Sequence, residues 1–415
     1  MDHPEPPDYT RSDLMKNTLL APIAVLYCCL PVCSQAQDLS IPFDENAVKS
    51  QYQAVLAPIA IGVGPAAFGV ALGQSFVTLY GSADLAVNYV NAGGKSIVRE
   101  QSGNVWTSKI GFYGQEDLGG RWTAFFRLES GFSANNGAEQ DTSSFFNRGS
   151  FVGLSNPDYG QLSLGRQYTS LGTAVLGADS FYVNAHDAVF AYLAGASDLG
   201  AGATTDGYTR LNNTIRYATP RIGGLQADVS YTFKSDQSIG PAVHARTASI
   251  SYAGFGSSMY LSYGQTWCDP AVSGSCTGTP SVAAATRTDN YVASVIHDFG
   301  SVVGQAAYLR TAPKRAGDGI ANLYIVGAQK MWRGNLLRAS VGFRDTTIEQ
   351  DYAYGTTLGI DHFLSKRTAV YARVGLVKNG PKSNLTYDYD STSSSTLVGD
   401  GHSVTSVTLG MYTNF

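Results

Sequence analysis

Residues 225–233 carry the pattern that recurs along most of the chain. Leu225, Ala227, Val229, Tyr231 and Phe233 alternate with Gln226, Asp228, Ser230 and Thr232. A period of two with one apolar and one polar face predicts a β-strand whose two sides meet different surroundings. Leu337, Ala339, Val341 and Phe343 alternate in the same way with Arg338, Ser340, Gly342 and Arg344. Val407, Leu409 and Met411 alternate with Ser406, Thr408 and Gly410, and in 370–376 the apolar positions face away from Tyr371 and Arg373. About 16 such strands fit between Ser75 and Phe415, an even number as in bacterial barrels. A sandwich would also alternate, but arginines repeated on the polar face suit a water-filled bore better than a solid core.

The connections alternate in length. Short ones fall at 118–120, 156–160, 222–224, 254–256, 333–335 and 365–366, and long ones at 132–147, 169–209, 268–287 and 379–402. Short turns at one end and long loops at the other are the expected asymmetry of a membrane barrel. The 169–209 segment is the exception that organises the rest. A strand-like run at 161–168 gives way to about forty residues rich in Gly, Ala, Ser and Asp, before a second run begins near Arg210. A loop this long inside a compact domain is usually functional. It is expected to fold into the bore.

Composition sharpens the picture. Of 415 residues, 44% are hydrophobic but only 14% charged, against about a quarter charged in a soluble domain. No apolar run reaches the roughly 18 unbroken residues of a transmembrane helix. A β-barrel, with its lipid face on every second residue, remains. The 25 tyrosines and 18 phenylalanines are then expected to form interfacial girdles. Residues 1–74 hold three of the 28 Lys/Arg and seven of the 32 Asp/Glu, leaving 25 of each beyond. That neutrality argues against a nucleic-acid partner.

The first 74 residues read as processing signals. Met15, Lys16 and Asn17 precede an apolar run over 19–32, and Ser34, Gln35 and Ala36 offer a small-x-small site before Gln37. Residues 1–36 are read as a leader whose start is Met15; the other reading is a true N-terminal extension. A second apolar run, 54–72, ends before Gln74, so 37–74 is either an extension or a second leader region. The mature start is Gln37 or Gln74. Cys33 lacks the small preceding residue of a lipoprotein signal. Cys268 and Cys276 bracket a short loop and, in an exported protein, are expected to form a disulfide.

Catalysis finds little support. There is no G-x-S-x-G and no H-E-x-x-H. The six histidines (His3, His186, His244, His297, His362, His402) show no metal-ligand spacing. His186 beside Asp187 reads as a surface contact. Gly93 and Gly94 read as a loop tip. Neither a metal nor a cofactor is expected.

At this point several motifs carry a resemblance. The runs SFVTLYG (75–81), SKIGFYGQEDLGG (108–120), LESGF (128–132), FVGLS (151–155), LGRQY (164–168) and LSKRT (364–368) with Tyr371 resemble, in order and spacing, the general trimeric porins of Gram-negative outer membranes. The resemblance covers 75–415. It implies an all-β fold: a 16-stranded antiparallel transmembrane β-barrel with an inward-folded third loop. It also implies a homotrimer in the outer membrane and a water-filled channel for passive diffusion of ions and small hydrophilic solutes. The terminal Phe415 resembles the signal read by the barrel-assembly machinery. Thr413 departs from the family's usual aromatic or His.

In such porins basic wall side chains face acids on the third loop. Matched motif by motif, the wall cations are Lys109, Arg148, Arg166 and Arg210, and Ser82 stands where enterobacterial members place a base. On the loop Asp179 is the best acidic match and Asp187 a second; the family's Pro-Glu-Phe-Gly tip is missing. Such a ring sets a transverse field across a narrow wet passage. Simple lumenal ion pairs holding the loop are the other reading of Arg166 and Arg210. Arg127 and Glu129 share a parity and can pair with neighbours. Arg148 shares the parity of Val152 and Leu154, which should face lipid, so a bulge or strand end must turn it inward. Tyr113, Phe125 and Tyr371 are candidates for a lumenal aromatic ladder but do not form a run. Besides a diffusion channel, two readings stay open: a surface adhesin or receptor acting through its loops, and a substrate-specific porin.

Overall fold

The computed structural model describes residues 75–181, 186–235, 243–268, 286–387 and 399–415, and the backbone of 69–72. The leader and both candidate mature starts lie outside the described residues. The strands, in chain order, are β1 (Gly69–Leu72), β2 (Ser75–Ala92), β3 (Lys95–Ser102), β4 (Lys109–Gly119), β5 (Trp122–Gly131), β6 (Gly149–Asn156) and β7 (Gly160–Tyr168). They continue with β8 (Arg210–Ala218), β9 (Leu225–Phe233), β10 (Val243–Gly254), β11 (Ser257–Trp267), β12 (Arg287–Asp298) and β13 (Val303–Pro313). The last are β14 (Ala321–Trp332), β15 (Asn335–Thr346), β16 (Tyr352–Phe363), β17 (Thr368–Asn379) and β18 (Val404–Asn414).

From β2 onward these strands make a closed antiparallel barrel of 16 staves. The count follows from one interrupted stave. β2 is long enough to pair β3 through 85–92 and β4 through 76–82, so β3 and β4 are two halves of one wall element. β1 pairs the first residues of β2. Closure runs through β18 against β2, with Asn414 opposite Ser82. The Gly81 amide donates to the Phe415 carbonyl at 2.9 Å and the Phe415 amide to the Gly81 carbonyl at 3.0 Å. Closure leaves no strand edge in lipid, where an unpaired N–H or C=O would be costly.

The alternation sorts the two faces. Val152, Leu154, Leu162, Leu164, Val326 and Val374 point out and are exposed, as a lipid or partner surface requires. Near the long-loop end, Tyr263 and Tyr291 sit 5.0 Å apart, Tyr308 and Tyr324 5.2 Å, and Phe343 and Tyr354 4.7 Å. They form an aromatic girdle over β11–β16. At the short-turn end Trp122 stacks on Tyr159 at 5.7 Å. Amphipathic rings favour such water–hydrocarbon boundaries.

The apolar core is inside the barrel, between the wall and the third loop. Leu171, Val175, Val189 and Leu193 of the loop pack on Val292, Leu323, Ile325 and Val377 of the wall. This explains inward apolar residues that a water-filled bore alone would not need. It also relocates the lumenal arginines. Arg338, Arg344 and Arg373 lie beneath the loop and are nearly or wholly buried, not in open water.

Candidate functional site

The third loop, 169–209, leaves β7 and returns to β8 after running along the inner wall. Thr169 starts it by accepting the Gly172 amide at 2.8 Å, capping the short helix α1 (Ser170–Val175). Such an oxygen satisfies one of the orphan donors of a first helical turn. α1 is wholly buried and lies on β10, β11 and β12. The chain then turns at Asp179, Ser180 and Phe181 and comes back through the short helix α2 (Val189–Leu193) against β14, β15 and β16.

Wall groups fasten each stretch. Arg338 donates to the Ser180 carbonyl at 2.7 Å and to Asp361 at 3.0 Å. Arg373 also pairs with Asp361 and sits over the Phe181 ring at 5.3 Å. Further along, Arg344 donates to the Gly195 carbonyl at 3.2 Å and to Asp198 at 2.7 Å. The tip is tied to the break between β3 and β4. Asn104 donates to Asp187 at 2.7 Å, and the His186 amide donates to the Asn104 carbonyl at 3.1 Å. The break is itself pinned: Asp84 accepts the Val105 and Trp106 amides at 2.6 and 2.7 Å, and Ser82 donates to the Thr107 carbonyl at 2.8 Å.

These fastenings decide the fate of the expected loop acids. Asp179 is 1% exposed and spends its carboxylate on the Phe181 and Phe190 amides at 2.9 and 2.8 Å. It staples the two arms of the loop together. Burial pushes its pKa up to about 6, against the pull of those amides. Asp187 is 2% exposed and held by Asn104, and burial raises its pKa as well. Neither lines the cavities described below. A carboxylate in a loop with many free amides is consumed locally before it can present charge to a bore.

The passage runs between the loop and the β4–β8 wall. Glu129 is its central acid, a residue whose parity with Arg127 suggested only pairing with neighbours. It accepts Arg148 at 2.9 Å and the Tyr80 hydroxyl at 2.7 Å, and pairs with Arg127 at 3.2 Å. The Arg127 guanidinium also donates to Tyr80 at 2.7 Å. Arg148 is the residue before β6, and its amide is held by the Glu129 carbonyl at 3.1 Å. The strand end therefore turns it inward despite its parity. Lys109 opens β4 with its ammonium over the Trp106 ring at 5.5 Å, and Arg210 opens β8 over Tyr168 at 4.0 Å. Arg166 stands apart. It donates to the Asn147 carbonyl at 2.6 Å and to Asn212 at 2.8 Å. A bulge after Gly165, at φ 130°, breaks the register of β7 there.

Two cavities meet at this level. One of about 780 Å³ opens toward the short turns and is lined by Lys109, Arg127, Glu129, Arg148 and Arg210. One of about 440 Å³ opens toward the long loops and takes in Arg166, His186 and Phe190. They share Thr107, Arg148 and Arg210. The loop faces them with Leu176, His186, Phe190 and Ala191. Among the described residues no loop carboxylate lines either cavity. Of the three aromatic candidates, Tyr113 and Phe125 line the larger cavity, whereas Tyr371 donates to Asp84 at 2.6 Å. Cys268 is disulfide-bonded; Cys276 lies outside the described residues.

The comparisons with known proteins agree with this architecture. Residues 57–382 match the sequence profile of a family described as Gram-negative porin. Outer membrane porin protein 32 of Delftia acidovorans is 32% identical over 327 residues, spanning 77% of this chain and 89% of that protein. The anion-selective porin from Comamonas acidovorans superposes with a TM-score of 0.71 at 28% identity, over 82% of this chain and all of that one. OmpT of Vibrio cholerae, solved in a trimer form, gives 0.59 at 13% identity over 83% of this chain and all of that one, a likeness of fold alone.

Proposed function

The chain belongs to the Gram-negative porin family, and from that premise we propose that its channel favours anions. It is an outer-membrane β-barrel and a passive diffusion pathway for ions and small hydrophilic solutes. We assign it no catalytic step. The observation that carries the proposal is the charge balance at the constriction. Lys109, Arg127, Arg148 and Arg210 surround the carboxylate Glu129, the cavity's other acid, Asp228, is paired with Arg216, and the loop opposite is lined by Leu176, His186, Phe190 and Ala191. Beyond residue 74 the chain is neutral, with 25 charges of each sign. Selectivity must therefore arise from local arrangement, since distant charges are screened beyond about 8 Å at physiological salt. Anion selectivity in the relative from Comamonas acidovorans points the same way.

The test places a thiol in the passage. In a Phe190→Cys variant, a negatively charged methanethiosulfonate reagent is expected to block current about tenfold faster than a positively charged one of like size, because the wall cations concentrate it. The parent serves as control. Faster reaction of the cationic reagent would reject the reading.

We also propose a homotrimer. The girdle tyrosines cover β11–β16, while β4–β7 present Ile110, Phe112, Val152, Leu154, Leu162 and Leu164 outward. An outer face whose amphipathic rings are confined to Trp122 and Tyr159 at the short-turn end, with none over its long-loop half among these residues, suits protein contact better than a lipid boundary. Light scattering in mild detergent should give three protomers; a monomer would refute this.

A further inference from the structure

We propose that the passage selects, among anions, organic carboxylates with an apolar or aromatic body. The proposal rests on the anion-favouring reading above and names the solute class of the same site. Its basis is what stands around the cations. Trp106, Tyr113, Phe125, Phe151 and Tyr168 line the larger cavity on the wall side. On the sequence alone Tyr113 and Phe125 did not make a run; the break between β3 and β4 brings Trp106 beside them, and β6 and β7 add Phe151 and Tyr168. Two of these rings sit at the cations themselves, Trp106 under Lys109 and Tyr168 under Arg210.

The opposite bank is apolar apart from His186. Leu176 faces the larger cavity, and Phe190 and Ala191 the smaller. Leu176 and Phe190 are the edge of the buried loop core, left partly exposed toward the passage. An inorganic anion or a polyhydroxylated acid must shed water against these apolar faces and regains hydrogen bonds only at the cations and the neutral polar groups of the wall, such as Thr107 and Gln167. A carboxylate with an apolar body places its charge on Arg148 or Arg210 and its body against Leu176, Phe190 and the wall rings. Removing that apolar area from water is favourable, and ring contacts add to it. Both halves of such a solute are then matched at one level of the channel.

The experiment uses the full-length protein in planar bilayers, with each anion in turn as the sole anion on one side and chloride on the other. The probes are benzoate and cyclohexanecarboxylate against threonate, a hydroxylated carboxylate of similar size. Benzoate is expected to be about fivefold more permeant than threonate, with cyclohexanecarboxylate between them. In Phe190→Gln and in Leu176→Gln the benzoate-to-threonate ratio should fall toward one; a ratio within one variant cancels any change in overall conductance. Equal permeation of benzoate and threonate through a parent that still prefers chloride over potassium would overturn this inference and leave the anion reading standing. A parent that prefers potassium would overturn both. A ratio that stays high in both variants would also overturn it, because the loop face would then contribute nothing.

Discussion

Replacing Lys109, Arg148 and Arg210 together by Ala should abolish the preference for anions and turn the reversal potential toward the cation side. Arg127 and Glu129 remain in that variant, paired at 3.2 Å, so the level becomes close to neutral. Each removed charge is worth about 1 kcal/mol to an ion passing at about 4 Å in a water-like dielectric. Screening and counterions reduce this, so the anion-to-cation permeability ratio should drop on the order of tenfold. Raising the salt should shrink the difference between variant and parent. Conductance is the poorer readout, since a wider bore and a lost anion flux act in opposite directions. An unchanged reversal potential at low salt would show that these three residues do not set the field.

The second large effect is expected from Asp361. Its carboxylate is fully buried and shared by Arg338 and Arg373. In Asp361→Ala both guanidiniums lose their common partner beneath the loop, a change that typically costs about 3–5 kcal/mol in a buried site. The loss is also local, because Arg338 carries the Ser180 carbonyl and Arg373 lies on the Phe181 ring. Thermal unfolding in detergent should therefore shift down, and single-channel traces should show added open-state noise as the loop loosens. Arg344 with Asp198, a separate clamp, should keep the returning arm in place. A variant with parental stability and quiet openings would mean that the Asp361 cluster is incidental to holding the loop.

The barrel was legible because lipid and lumen impose period two on every stave. Residues 225–233 and 337–344 show it without help from the structure. Closure was legible from the alternation running to Phe415. The interrupted stave was not, because the Gly103–Asn104 break looks like any loop until β2 is seen pairing both halves. The motifs singled out Lys109, Arg148 and Arg210, which line one cavity, and Arg148 faces inward because β6 begins only at Gly149.

Asp179 and Asp187 line neither cavity for a physical reason. Asp179 and Asp187 carry the right charge in the right loop, but backbone amides and Asn104 claim them. The acid that does meet the cations, Glu129, had a signal in the sequence. It lies two residues from Arg127, with the same parity, near the end of a strand. Which lumenal arginines are covered was out of reach, since Arg338 and Arg373 share the strand parity of wet positions and are buried only because the loop lies over them.

The most direct test of the charge balance is the reversal potential of the unaltered protein in a potassium chloride gradient at low salt. The four cations around Glu129, and a loop face that carries no carboxylate among the described residues, predict that chloride permeates faster than potassium, with the preference fading as salt is raised. A potential of the opposite sign, with potassium favoured at low salt, would contradict it.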